Sequence, residues 1–229
     1  MCYSFKTSLF SYSIGIIAGI YALFTKQFAL GLFILCFVQI QLSEIIIWYS
    51  IDTKNISLNK FGTKFGKYLL ACHNIAIGFG MILSILFVSK NKLKFSDFLP
   101  LISGIILFII INLFIYIPEN YPETTYPLNK NCIDKSCQNN NNRLVWQYPH
   151  AWYSISAIMT LIIIIIYFKP FSSKMLSCFF IISTFFFSFI FLRNVIGSIW
   201  CFSAAILAPV LVLFNYFIIK NMSDLDILT

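Results

Sequence analysis

Gln41, Glu44 and Trp48 are spaced by three and four residues inside an otherwise apolar stretch, so a helix would carry all three on one face. A carboxyl group held away from water costs several kcal/mol unless a partner or a wet cavity meets it, which makes Glu44 a candidate site for a proton or a small polar solute. His73 and Asn74 are the next chemistry-bearing residues, in a second apolar stretch, and Ser198, Trp200 and Cys201 follow near the start of the last one. His73 and His150 are the side chains suited to carrying a proton or ligating a metal, and Arg193 is a possible counter-charge for Glu44. Metal binding is nevertheless not expected, because no HExxH, HxxxH or paired CxxC spacing occurs. Nucleophilic catalysis has little support either, since Cys72 and His73 are sequence neighbours and diverge on a helix.

The elements that must position these residues are membrane spans. Hydrophobic residues make up 59% of the 229 and charged residues only 10%, with a mean hydropathy of +0.86, far above a soluble domain. The expected fold is all-α: one polytopic transmembrane helix bundle, residues 1–229, with about seven spans and six to eight as the range. The apolar windows predict them over Thr7–Phe24, Phe28–Tyr49, Tyr68–Val88, Phe98–Ile117, Ala151–Phe168, Phe171–Phe191 and Ile196–Ile219. The first is expected to persist rather than be removed as a signal peptide, because only Lys6 precedes it and no small-residue cleavage site follows.

A formal charge of +8 does not point to nucleic acid, because the lysines are distributed among the segments between spans, where they suit a membrane interface. The lipid bilayer is the expected partner. With side A denoting the face where the first span starts, positive residues divide almost evenly between the two sides and assign no orientation. The long polar loop at about 118–150 lies on side A, and in it Cys132 and Cys137 could close a disulfide ring in an oxidising compartment or stay thiols elsewhere. Trp146, Tyr148, Trp152 and Tyr153 beside His150 suit an aromatic belt.

Alternating helix directions place Glu44, near the side A end of the second span, at the same expected depth as His73, near the side A start of the third. Ser198, Trp200 and Cys201 fall in that layer too, with Arg193 at its rim. Small residues four apart predict close helix contacts at Ser11, Gly15 and Gly19, at Ala76 and Gly80, and at Gly197, Cys201 and Ala205. Gln39 is expected to face away from Glu44 and bond a neighbouring helix. The last span lacks the central lysine that a retinal Schiff base needs, having only Lys220 at its end, which argues against a retinal cofactor.

Three pieces in order carry a resemblance: Met1-Cys2-Tyr3-Ser4, the segment with Gln41, Glu44 and Trp48, and Ser198-Ile199-Trp200-Cys201-Phe202. Together they resemble a family of uncharacterised multi-pass membrane proteins of bacteria and large DNA viruses, which opens with Met-Cys-aromatic-Ser and closes with Ser-x-Trp-Cys-Phe. Where that family follows its glutamate with glycine, this chain has Ile45. The resemblance implies a seven-helix bundle and a special standing for Cys2, Ser4, Gln41, Glu44, Trp48, Ser198, Trp200 and Cys201. It also implies that Cys2 and Cys201 could meet, and it implies no particular activity. The functional expectation is binding or translocation of a small polar solute or a proton. An intramembrane enzyme, in its metal-assisted version too, and a membrane scaffold are the alternatives.

Overall fold

The computed structural model describes residues 4–89, 92–111, 123–127, 144, 158, 161–162, 164–166, 171–191 and 196–220, and describes backbone alone at 70–71, 89, 111, 171–174, 185, 187–191 and 196–201. The described residues are helical apart from connections and one isolated antiparallel bridge, Pro127 to Leu144. In chain order they form α1 (Phe5–Phe24), α2 (Phe28–Asp52), α3 (Ile56–Ser84), α4 (Leu99–Ile111), α5 (Phe171–Phe191) and α6 (Ile196–Lys220). A π turn, Ile85–Ser89, extends α3, and a 3-10 turn, Phe95–Phe98, leads into α4. Residues 158, 161–162 and 164–166, within the expected fifth span, are also helical.

Local chemistry sets the first boundaries. Ser4 caps α1, its hydroxyl accepting from the Thr7 N–H at 3.3 Å, and Asn55 caps α3 by accepting from the Leu58 N–H at 3.0 Å. The turns before α2 and α3 are alike. Lys26 and Lys54 adopt left-handed φ values of 61° and 55°. The next amides, of Gln27 and Asn55, reach back to Ala22 and Ser50 carbonyls at 2.8 Å, closing each helix where glycine usually stands. With connections this short, α1, α2 and α3 run antiparallel in succession.

Small residues set how closely the helices approach. The buried side of α1 is Ser8, Ser11, Gly15, Ala18, Gly19 and Ala22, a stripe with almost no side-chain bulk. A Cβ on Gly15 would overlap Val38 of α2 and lie 3.6 Å from Ala205 of α6, so one glycine seats two neighbours. Gly80 of α3 lies against the backbone of Phe28 and Ala29, as its side-chain-free surface allows. Gly78 seats on Pro100 and Leu101 of α4, and Gly104 of α4 seats on Asn74 of α3. Of the expected contact stripes, Ser11, Gly15, Gly19, Gly80 and Ala205 make close approaches or are buried and Ala76 is half-buried, whereas Gly197 and Cys201 are described by their backbone alone.

A buried polar clasp joins the opposite end of α1 to α6. Gln27 donates to the Thr25 hydroxyl at 2.9 Å and to the Val212 carbonyl at 3.2 Å, and it accepts from Asn215 Nδ2 at 2.7 Å. The Gly15–Ala205 approach and this clasp together show that α6 runs parallel to α1. Gln27→Leu removes the acceptor of the buried Asn215 Nδ2–Gln27 Oε1 bond and is expected to cost about 2 kcal/mol, whereas the double change with Asn215→Leu should recover much of it, because apolar replacement of both partners is nearly neutral. A thermal-melting double-mutant cycle in lipid reads the difference.

One sequence expectation needs correction. The third helix does not begin at Tyr68 after a loop; it begins at Ile56, so Lys60, Lys64 and Lys67 are helical. Its halves, Ile56–Leu69 and Cys72–Val88, meet at 49°. The three lysines lower the hydropathy of the first half and make it read as a connection, although their spacing leaves a continuous uncharged face, Asn59, Gly62, Thr63 and Gly66, to bury.

Candidate functional site

One stripe of α2, Phe33, Phe37, Gln41, Glu44 and Trp48, carries the candidate site, each member three or four residues from the next. All are buried; Gln41 and Glu44 have no exposed surface. Gln41 Oε1 accepts from Ser11 Oγ at 2.6 Å, which fixes the register of α1 on α2 and brings Ser8 to the level of Glu44. Ser8 is fully buried, and neither its hydroxyl nor Trp48 Nε1 has a hydrogen-bond partner among the described residues. A carboxyl so fully enclosed, one turn from Gln41, must be either protonated or matched by polar neighbours. On the other flank, Ser43 Oγ donates to the Gly62 carbonyl at 2.6 Å and sets the register of α3 on α2.

That register separates Glu44 from His73. His73 lies edge-on to Phe33 and Phe37, with ring centroids 6.0 and 6.4 Å apart, so it meets α2 well before Gln41. At 1.5 Å per residue, the backbone of Glu44 stands about 10 Å further along α2 than that of Phe37. The single layer expected for Glu44 and His73 is therefore replaced by two levels on one stripe. The cause is the length of α3, which adds a dozen or so residues between the turn and the histidine, about 18 Å of helix. His73 and Asn74 directly follow the bend in α3, are buried to 1% and 0% exposure, and lie where Gly104 of α4 packs on the Asn74 carbonyl.

The parallel offset of α1 and α6 brings the helix positions of Ser198, Trp200 and Cys201 to the level of Ser8 and Ser11, and so of Glu44; their side chains lie outside the described residues. Ser4 caps α1 about a turn above Ser8, near the level of Trp48. Cys2, Cys132, Cys137, His150 and Arg193 lie outside the described residues. Gln39 bonds the Leu35 carbonyl of its own helix at 3.0 Å rather than a neighbouring helix. Among the described residues no three His, Cys, Asp or Glu side chains converge to hold a metal ion.

Sequence reasoning missed a strap beside this site. Asn59 donates to the Thr125 carbonyl at 3.0 Å and accepts from the Thr125 N–H at 2.8 Å, a two-point grip on the backbone of the long loop. Thr63 adds a hydroxyl bond to Thr125 at 3.0 Å, and Asn59, Thr63 and Thr125 are all buried. Since Gly62 is level with Ser43, the strap lies on α3 at about the height of Glu44. Outside it, Lys60 Nζ donates to Glu123, and this bond, reinforced by the charges of Lys60 and Lys64, holds the Glu123 carboxyl below its ordinary pKa. A lowered carboxylate pKa adds stability above the ordinary value and loses it as pH falls through the lowered one, so acidification loosens this pair. The pair is exposed and worth little by itself. The only sequence signal for the strap was Asn59 and Thr63, one turn apart and polar on the uncharged face.

Three helices among the described residues, Phe5–Phe24, Phe28–Asp52 and Phe202–Lys220, are long and apolar enough to cross a membrane, and the bent pair of α3 makes a fourth if it crosses as one. The chain is an integral multi-pass membrane protein in contact with the lipid bilayer. Comparison with protein-family models, with curated proteins and with solved structures finds no match.

Proposed function

We propose that this chain is a bundle of about seven spans, of the family whose terminal and second-span motifs it resembles, and that it binds or translocates a proton or small polar solute through a vestibule on side A centred on Glu44. The observation that carries this reading is the complete burial of Glu44, with Gln41 beside it, on a helix stripe facing other helices rather than lipid. His73 and Asn74, just past the bend of α3, supply a second buried polar level, with the His73 ring against Phe33 and Phe37 of that stripe. Polar groups stacked in depth beside a broken span are the arrangement membrane transporters use.

The test is proton entry into sealed vesicles containing the purified protein and a pH-sensitive dye, driven by an external acid step. Glu44→Gln removes the titratable group while keeping shape and hydrogen bonding, and it should lower protein-dependent entry at least tenfold with little change in melting temperature. Entry equal to the parent, or a parent no faster than protein-free vesicles, removes the proton version. The Ser11–Gln41 bond favours a second reading, a scaffold whose polar layer only orders helices. There Glu44→Gln moves the melting temperature and leaves vesicle permeability untouched.

A further inference from the structure

The first half of α3, Ile56–Leu69, has a surface divided lengthwise into three. Asn59, Gly62, Thr63 and Gly66 form the buried side, against α2 and the strap. At 100° per residue the remaining circumference carries two parallel rows offset by one position: Lys60, Lys64 and Lys67, then Phe61, Phe65 and Tyr68. Lys60 and Lys64 are exposed, and so are Phe61 at 57% and Tyr68 at 41%. Phe61 and Phe65 stack ring on ring, with centroids 5.9 Å apart and planes within 5°, so the aromatic row is a firm surface.

Neither bulk phase suits this half-helix. Lysines are costly in hydrocarbon, and a bare aromatic row is poorly placed in water. Cations beside aromatics on one exposed face suit the headgroup boundary, where rings sink toward acyl chains and ammonium groups reach phosphate. The 49° bend frees this half from the direction of the span that follows. Charge also selects the occupant: Lys54, Lys60, Lys64 and Lys67 stand beside two exposed acids, Asp52 and Glu123, while Glu44 at the same height is fully buried on α2. The Lys60–Glu123 pair shows an oxygen anion seated on this row from within the chain.

We propose that the lysine row of α3 is a docking surface for anionic phospholipid headgroups of the side A leaflet, with Lys60 and Lys64 as the contacting cations and Phe61 and Phe65 as the acyl-side anchor. A lysine near an anionic surface gains about 1 kcal/mol, equivalent to about fivefold in association per residue at low salt.

The full chain, reconstituted in phosphatidylcholine, is probed by electron paramagnetic resonance with spin-labelled phosphatidylglycerol and spin-labelled phosphatidylcholine, giving a relative association constant. The parent should prefer phosphatidylglycerol several-fold, with the preference shrinking as salt rises. Lys60→Gln with Lys64→Gln should bring the ratio close to one, whereas Lys60→Arg with Lys64→Arg should keep it. Lys92→Gln with Lys94→Gln removes the same charge from the opposite end of α3 and should leave the ratio unchanged. An equal ratio in the first pair and the parent, or an equal fall in the Lys92 and Lys94 pair, overturns the proposal. Circular dichroism confirms helicity in each variant.

Discussion

Gly104→Val and Gly78→Val should each destabilise the bundle by about 3 kcal/mol or more, the upper end of what overpacking costs. A Cβ at Gly104 would lie 2.7 Å from the Asn74 carbonyl oxygen, and one at Gly78 would lie 2.5 Å from the Leu101 backbone nitrogen and Cα. In both cases the obstacle is backbone. No rotamer change can relieve it, so α3 and α4 must separate along their length and give up the dispersion contacts that hold helices together in lipid. The two seats are reciprocal, each helix lending a glycine to the other's main chain, so either change opens the same joint and their effects should not add. Melting of the reconstituted protein, followed by circular dichroism, checks this. A Gly104→Val protein that melts with the parent would show that the helices do not meet there.

Asn59→Leu should free the strap. Leucine matches asparagine roughly in size, but it leaves the Thr125 N–H and C=O buried without their partners, at about 1 to 3 kcal/mol each. The segment escapes that cost by undocking, so most of the loss should appear locally as opening of residues 123–127, rather than as global unfolding. Hydrogen exchange at the Thr125 amide should accelerate about a hundredfold, equivalent to roughly 2.7 kcal/mol, while the melting temperature moves much less. Asn59→Asp keeps the acceptor for the Thr125 N–H and loses the donor, so it should fall between. Unchanged exchange in Asn59→Leu would mean that the strap is held by something other than this amide.

The sequence is most informative where one residue property decides the outcome. Apolar length alone bounds two of the helices: Phe171–Phe191 is the α5 helix end to end, and Ile196–Ile219 differs from α6 by one residue. Size alone picks Gly15, Gly19 and Gly80 as points of close approach. Position on the helix turn alone puts Gln41, Glu44 and Trp48 on one buried face. Depth was less legible, because it depends on where α3 begins. Lys60, Lys64 and Lys67 made its first half look like a connection, and that error moved His73 to the height of Glu44. Pairings over long sequence distances left no local trace. Gln27 with Asn215, and Asn59 with Thr125, are ordinary amides until the fold brings them together.

The interlocked glycines also bear on how such a bundle could change shape. Where main chain rests directly on main chain at two points, there is no cushion of side chains to shear, and α3 and α4 must travel as a single body. The seam between α1 and α2 is a looser version of the same joint: Gly19 and Gly31 face each other's carbonyl oxygens, with Cβ positions 3.4 and 3.1 Å from them, and Gly15 meets the Val38 side chain. Gly80 of α3 likewise rests on the α2 main chain at Phe28 and Ala29, so any rearrangement of the bundle would carry α3 and α4 as one body that is also tied to the start of α2.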